Sequence, residues 1–239
     1  MMTVHSLGDQ ALLVSFEQTI SHPIHQQVIG LKTFLQQKHI AGVRYFIPAY
    51  CSLTIGFDPL TLSVEILTSH LSQFEIDSFK QHESIAKRHL QIPVCYEDAF
   101  APDMQVVVEH SGLSPQKIIE LHSSNTFTVF MLGFIPGFAY MGILPIAIRC
   151  PRKTSPRLRV PAGSVGLAGA QTGIYPAETP GGWQLIGRCP IPMFDPARDS
   201  PSLVEAGDKI SFCPISAGEF EHKKRQLSQD TFDYGEIYG

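Results

Sequence analysis

The chain has 239 residues, 44% of them apolar, with 18 Lys/Arg against 22 Asp/Glu and a formal net charge of −4. That apolar share can fill one large or two small cores, while the positive charge is too sparse for the broad basic surface that nucleic acid requires. No run approaches the roughly 18 apolar residues of a membrane span, and MMTVHSLGDQALLVSF lacks a basic stretch followed by a long apolar one, so the expected location is the cytoplasm.

In chain order, Val4 to Phe16 is an extended apolar run. Ser21-His22-Pro23 then combines an N-cap with an early helical proline. Ile24, Val28, Leu31 and Leu35 follow at i, i+4, i+7, i+11, which predicts a helix with one buried stripe, ending near Ala41-Gly42. Val43–Ile47 and Cys51–Phe57 read as strands around a turn at Pro48-Ala49-Tyr50. Asp58-Pro59 opens a second helix with Leu62, Ile66 and Phe74 on one face, and Ala86–Val94 returns as a strand. This order, β-α-β-β-α-β, predicts a ferredoxin-like split βαβ fold for residues 1–85, with the junction falling between Gln81 and Leu90.

Residues 86–239 begin with two short helices, around Pro102–Glu109 and Ser114–Leu121, the second capped by Ser114 with Pro115 at its first position. Thr126–Leu132 is β-rich, and beyond it short apolar runs are broken by Gly and Pro every few residues, which suits a mainly β, closed barrel. Glu219–Ser228 reads as a polar helix. Gln229–Gly239, without an apolar period, is expected to order only against a partner.

Function should lie between Met131 and Asp195, which hold 10 of the 19 glycines, 9 of the 18 prolines and the single tryptophan. Six Lys/Arg (Arg149, Arg152, Lys153, Arg157, Arg159, Arg188) stand there against two acids, Glu178 and Asp195, in an otherwise acidic chain. A cationic island with a rigid backbone predicts an anionic ligand gripped by arginine. In PRKTSPRLRVP the alternation of a strand throws Arg157 and Arg159 to one side, giving either an anion clamp with Arg152 and Arg188 nearby or a set of surface salt bridges. The glycines of AGSVGLAGAQTG, around Ser164, form either a nest of N–H groups for an oxyanion or tight barrel turns. Gln171, Thr172 and Tyr175 are placed to orient a substrate. Phe134, Phe138 and Tyr140 form an aromatic loop, either a pocket lip or a protein interface, and Trp183 is a stacking surface or a core plug.

Other chemistry is missing from the sequence. There is no P-loop G-x-x-x-x-G-K-[ST], and Gly163-Ser164-Val165-Gly166 does not have the spacing of a nucleophile elbow. His22 and His25 lack a third ligand, and Cys51, Cys95, Cys150, Cys189 and Cys213 are odd in number with no C-x-x-C pair, so no metal site, disulfide framework or catalytic residue is assigned.

GFIPGFAYMGILP, PRKTSPRLRVPAGSVGLAGAQTGIYP and PGGWQLIGRCPIPMFDP resemble the family that contains the B-type subunit of ATP-dependent 5-oxoprolinase, the Kip-type kinase inhibitor and proteins labelled allophanate hydrolase subunit 1. The similarity extends from Gly8 to Pro214, with Cys189 in place of the family's usual Thr and Ala139 in place of a frequent Pro. The resemblance implies a cyclophilin-like barrel after the α+β domain. It also implies work with a larger subunit of C type and a lactam-hydrolase subunit of A type, opening 5-oxoproline to glutamate with ATP and Mg²⁺ used by the complex and little turnover by this chain alone. Two other members' roles are the alternatives: inhibition of a sensor histidine kinase, and half of a biotin-dependent carboxyltransferase.

Overall fold

The computed structural model describes residues 2–74 and 88–238. Two compact units, Met1–Ala86 and Lys87–Gly239, divide the chain.

The first unit begins with a hairpin, β1 (Thr3–Ser6) and β2 (Ala11–Ser15), which splits the expected Val4–Phe16 run at Gly8, whose φ of +64° suits glycine. Helix α1 (His22–Gln37) starts where the sequence predicts: the Ser21 hydroxyl accepts the Ile24 N–H, and Ile24, Val28, Leu31 and Leu35 are buried, joined by His25 and Ile29. Strands β3 (Val43–Pro48) and β4 (Ser52–Phe57) follow as expected. The second helix starts later than predicted. Asp58 instead closes a turn, taking the N–H groups of Leu60, Thr61 and Leu62, and α2 (Val64–Leu71) is capped by Ser63. Within the shorter helix Leu67 and Leu71 are buried and Ile66 is exposed, while Leu62 and Phe74, which flank it, are buried as expected.

The four-stranded sheet is antiparallel throughout, in the order β1-β2-β4-β3. The edge beside β2 that a split βαβ fold would give to its last strand is filled by β1, through a hairpin, and this corrects the predicted topology. The strand expected at Ala86–Val94 is β5 (His89–Cys95), which belongs to the second unit. The predicted junction at Gln81–Leu90 lies mostly outside the described residues.

The second unit is a closed seven-stranded barrel. After β5 come α3 (Met104–Ser111) and α4 (Pro115–Ser123), the latter capped by the Ser114 hydroxyl as predicted. The barrel then adds β6 (Thr126–Leu132) and β7 (Ala139–Gly142). A two-stranded flap pairs β8 (Arg157–Val160) with β11 (Thr179–Gly181). Strands β9 (Ser164–Ala168), β10 (Gln171–Ile174), β12 (Gln184–Arg188) and β13 (Lys209–Ile215) complete the closure, in the order β10-β7-β6-β13-β5-β12-β9. Strands β5 and β13 pair in parallel, each with a proline in the run. Pro93 and Pro214 both sit where pairing on the strand's other side is absent, β5 meeting β12 at Cys95 alone and β13 meeting β6 over Lys209–Ser211, so the missing N–H is tolerated.

The larger apolar core of this unit runs from Leu90, Ile92 and Val94 to Ile210 and Phe212, and a smaller one gathers Phe138, Tyr175 and Trp183. The polar helix expected near the end is α5 (Ala217–Ser228), with a full capping box at Ser216 and Glu219. The tail departs from expectation: Phe232 and Ile237 enter the core of the same barrel, Tyr238 bridges to Leu90, and Lys223 binds Glu236 at 3.0 Å. Two apolar side chains without a period were enough to anchor it.

Candidate functional site

At the head of α3, Asp103 occupies the N-cap position, yet its carboxylate does not cap the helix. It turns inward, 2% exposed, and accepts four hydrogen bonds: from both terminal nitrogens of Arg157 at 2.7 Å, from Lys153 Nζ at 3.1 Å, and from the Leu185 N–H at 2.7 Å. Burial pushes this carboxyl up, but the Arg157 fork, the Leu185 N–H and Lys153 together hold it below its ordinary value. Sequence reading missed Asp103 because its partners lie 50 to 82 residues away. The available signal was an excess of cations at 149–159 in need of a buried counter-charge.

Arg157 and Arg159 therefore do not form the predicted clamp. The fork of Arg157 is filled by Asp103, and Arg159, 83% exposed, stands 3.8 Å from Glu178 in the exposed pairing that the sequence left as the alternative. The glycine nest is not formed either. The Gly163 N–H donates to the Tyr175 carbonyl, the Gly169 N–H to Cys150, and Gly166 sits within the β9 ladder, so these residues serve the barrel's turns and close strand contacts.

The cationic loop 151–156 is tied to the start of β12 by two bonds, Lys153 N–H to the Gly182 carbonyl at 2.7 Å and Gln184 Nε2 to the Pro151 carbonyl at 3.1 Å. Between them lies a cleft of about 400 Å³ lined by Arg152, Lys153, Thr154, Ser155 and Gln184. Among the described residues Arg152 has no ion-pair partner, and its guanidinium carbon lies 5.8 Å from the Trp183 ring centroid. Gln184 is 5% exposed, and its buried Oε1 has no hydrogen-bond partner among the described residues. A buried acceptor of that kind costs about 1–3 kcal/mol until a donor reaches it.

The floor under this loop is aromatic. Phe138, Tyr175 and Trp183 pack edge-to-face, with Phe138 at 5.5 Å from Trp183 and 5.1 Å from Tyr175, alongside Val160 and Leu185. Trp183 is thus a core plug whose ring also carries Arg152. Phe138 is 2% exposed and Tyr140 half-buried, so the expected lip reduces to Phe134, which is 62% exposed with a φ of +69°.

The remaining predicted residues separate. Ser164 and Tyr175 are buried, and Gln171 is half-buried at the start of β10. Thr172 is fully buried, its hydroxyl 2.9 Å from His122 Nε2, while His122 Nδ1 lies 2.8 Å from the Tyr96 hydroxyl. His122 stacks on Phe212 at 4.4 Å, and burial lowers its pKa to about 3, so it is a neutral core residue. Arg188 lies at the far end of β12, its Nε donating to the Ala162 carbonyl at 2.8 Å. Burial pushes the Cys150 thiol up to about 11 and Cys189 to about 12, so neither is a thiolate nucleophile at neutral pH. Among the described residues no group of three or more His, Cys, Asp or Glu could hold a metal ion, and no helix is long and apolar enough to cross a membrane.

The second unit is thus a closed barrel that carries a cationic cleft with two hydroxyls and a buried amide oxygen. The family described as carboxyltransferase domain, subdomain C and D, matches residues 2–204, and the chain belongs to that family, which includes the B-type subunit of 5-oxoprolinase. It is similar to the 5-oxoprolinase B-type subunit of Bacillus subtilis (strain 168), 37% identical over 93% of this chain and 97% of that one. The corresponding protein of Haemophilus influenzae is 40% identical over 88% of this chain and 97% of that one. Among solved structures TTHA0988 is similar, with a TM-score of 0.78, 33% identity and 87% of this chain covered; the chain spans 41% of that longer protein.

Proposed function

We propose that this protein is the B-type component of an ATP-dependent 5-oxoprolinase, converting 5-oxoproline to glutamate together with a larger C-type subunit and an A-type lactam-hydrolase subunit. The observation that carries the reading is similarity over nearly the full length of both chains to proteins named for that role. The barrel is read as cyclophilin-like, and the protein as cytoplasmic. A partner appended in one chain agrees with the length of TTHA0988, of which this chain matches about two fifths.

In this reading the Arg152 cleft receives the anionic substrate. Arg152 supplies positive charge at the carboxylate, Lys153 being held by Asp103, and Thr154 and Ser155 supply hydroxyls. The unpartnered Gln184 Oε1 accepts from the substrate's N–H once the cleft adjusts around it. Trp183 holds Arg152 in place without neutralising it. Asp103 and Arg157 fix the loop from below. ATP and Mg²⁺ are used by the complex, and this chain contributes binding and orientation, so it turns over little alone.

The test is glutamate release from 5-oxoproline by the reconstituted subunits, with each omitted in turn. Full activity without this chain would remove the assignment. Arg152→Ala is expected to lower activity by about ten- to a hundredfold, the loss of one charge-assisted bond, with unchanged melting temperature. The family's description favours a carboxyltransferase half as the second reading, and a biotin-dependent carboxyl transfer by the same reconstituted subunits would establish it instead.

A further inference from the structure

We propose that a second cavity of the barrel unit, lined by Arg188 and Lys224, is a binding site for a phosphate-type oxyanion, separate from the Arg152 cleft. The cavity has a volume of about 160 Å³, and its lining shares no residue with the cleft. That is below the roughly 300–1,000 Å³ of sites for drug-sized ligands, so the occupant is a single small group rather than a whole nucleotide.

Three observations converge there. The first is charge. Arg188 and Lys224 both line the cavity, no acidic residue does, and among the described residues neither is ion-paired.

The second is preorganisation. Arg188 Nε donates to the Ala162 carbonyl at 2.8 Å, which fixes the plane of the guanidinium while leaving both terminal nitrogens without a protein acceptor among the described residues. The carbonyl is held there by its neighbour. Gly163 has a φ of +81°, and a Cβ on it would overlap the Cys189 carbonyl oxygen, so the 161–163 turn reaches β12 closely only because residue 163 is glycine. The Gly163 carbonyl in turn takes the Cys189 N–H at 2.8 Å. Lys224 is presented by α5 one turn after Phe220, a side chain 2% exposed that anchors the helix, with its Nζ 6.0 Å from that ring.

The third is the wall. Pro176, Pro190, Ile191 and Pro192 surround the two cations, giving a stiff and mostly apolar rim that weakens solvent screening of a bound charge. A compact anion with several acceptor oxygens satisfies two or more guanidinium N–H groups and the ammonium together, which a lone carboxylate or chloride does less completely.

Isothermal titration calorimetry of the full chain with inorganic phosphate at low ionic strength tests the site, with O-phosphoserine as a second titrant. Saturable binding is expected, weakened about tenfold in Lys224→Gln and at least as much in Arg188→Gln. Binding in Arg152→Gln should match the parent. Tighter binding of inorganic phosphate identifies the free ion as the occupant, and tighter binding of O-phosphoserine identifies a phosphomonoester. Absence of saturation up to roughly 10 mM of either titrant overturns the proposal. So does equal binding by the parent and Lys224→Gln, an exposed substitution that does not endanger the fold. Loss of phosphate binding in Arg152→Gln with retention in Arg188→Gln would place the anion in the other cleft and sink this one. None of these outcomes depends on oxoprolinase turnover.

Discussion

Removing the Asp103 carboxylate is the sharpest test of how the cationic loop is held. In Asp103→Ala four donors lose their acceptor at once: both Arg157 terminal nitrogens, Lys153 Nζ and the Leu185 N–H. Breaking a fully buried ion pair costs about 3–5 kcal/mol. Here the cationic side chains remain 26% and 25% exposed, so water recovers part of that loss, and a destabilisation of about 2–4 kcal/mol is expected. Asp103→Asn retains one acceptor oxygen and should cost about half as much. Arg157→Ala leaves the carboxylate with Lys153 and Leu185 and should cost about 2 kcal/mol. The double variant should lose less than the sum, with a coupling of about 1–3 kcal/mol. Urea titration followed by the fluorescence of Trp183, the single tryptophan, reads all four stabilities. Complex activity measured on the same preparations separates fold from chemistry. Arg157→Ala with unchanged stability and abolished turnover would refute the structural role and return Arg157 to the substrate.

His122 sets a pH dependence of stability. Its folded pKa is lowered from about 6.5 to about 3 by burial, so the unfolded chain takes up its proton first. Stability is full above pH 6.5 and falls by up to about 1.4 kcal/mol per pH unit as pH drops toward 3. Urea midpoints should lose this slope between pH 6 and 4 in His122→Gln, and equal slopes for parent and variant would contradict the assignment. Gly163→Ala combines a left-handed φ with overlap at the Cys189 carbonyl and should cost about 2 kcal/mol or more, read as a lowered melting temperature. A variant as stable as the parent would show that the 161–163 turn relaxes freely.

What could be read from the sequence was local. Ser21 and Ser114 announced their helices because a cap and its N–H partner are three residues apart, and the α1 stripe was visible because one face of one helix is buried. The barrel showed itself in short β-rich runs between Gly and Pro. Partners distant in sequence left no such trace. His89–Cys95 reads as a strand from its own residues, but its parallel pairing with Lys209–Ile215, 120 residues on, decides which unit it joins. Ile66 against Leu67 is another case. Both suit a helix stripe, and only the packing of the folded unit buries Leu67 and leaves Ile66 exposed.

The arginines show the same limit and suggest how to pass it. Strand alternation predicts that Arg157 and Arg159 share a side but says nothing of what they meet, and the acid that fills the Arg157 fork comes from the head of α3, 54 residues earlier. A carboxylate neutralises the guanidinium it orients. A backbone carbonyl or an aromatic face orients it and leaves the charge to act on something else. By that distinction Arg157, bound by Asp103, is committed to the fold, and Arg159, largely solvated beside Glu178, is little constrained. Arg188 on the Ala162 carbonyl and Arg152 near Trp183 are both held in position and still charged. These two arginines line two different cavities of the barrel unit. Neither belongs to the pair that spacing alone singles out.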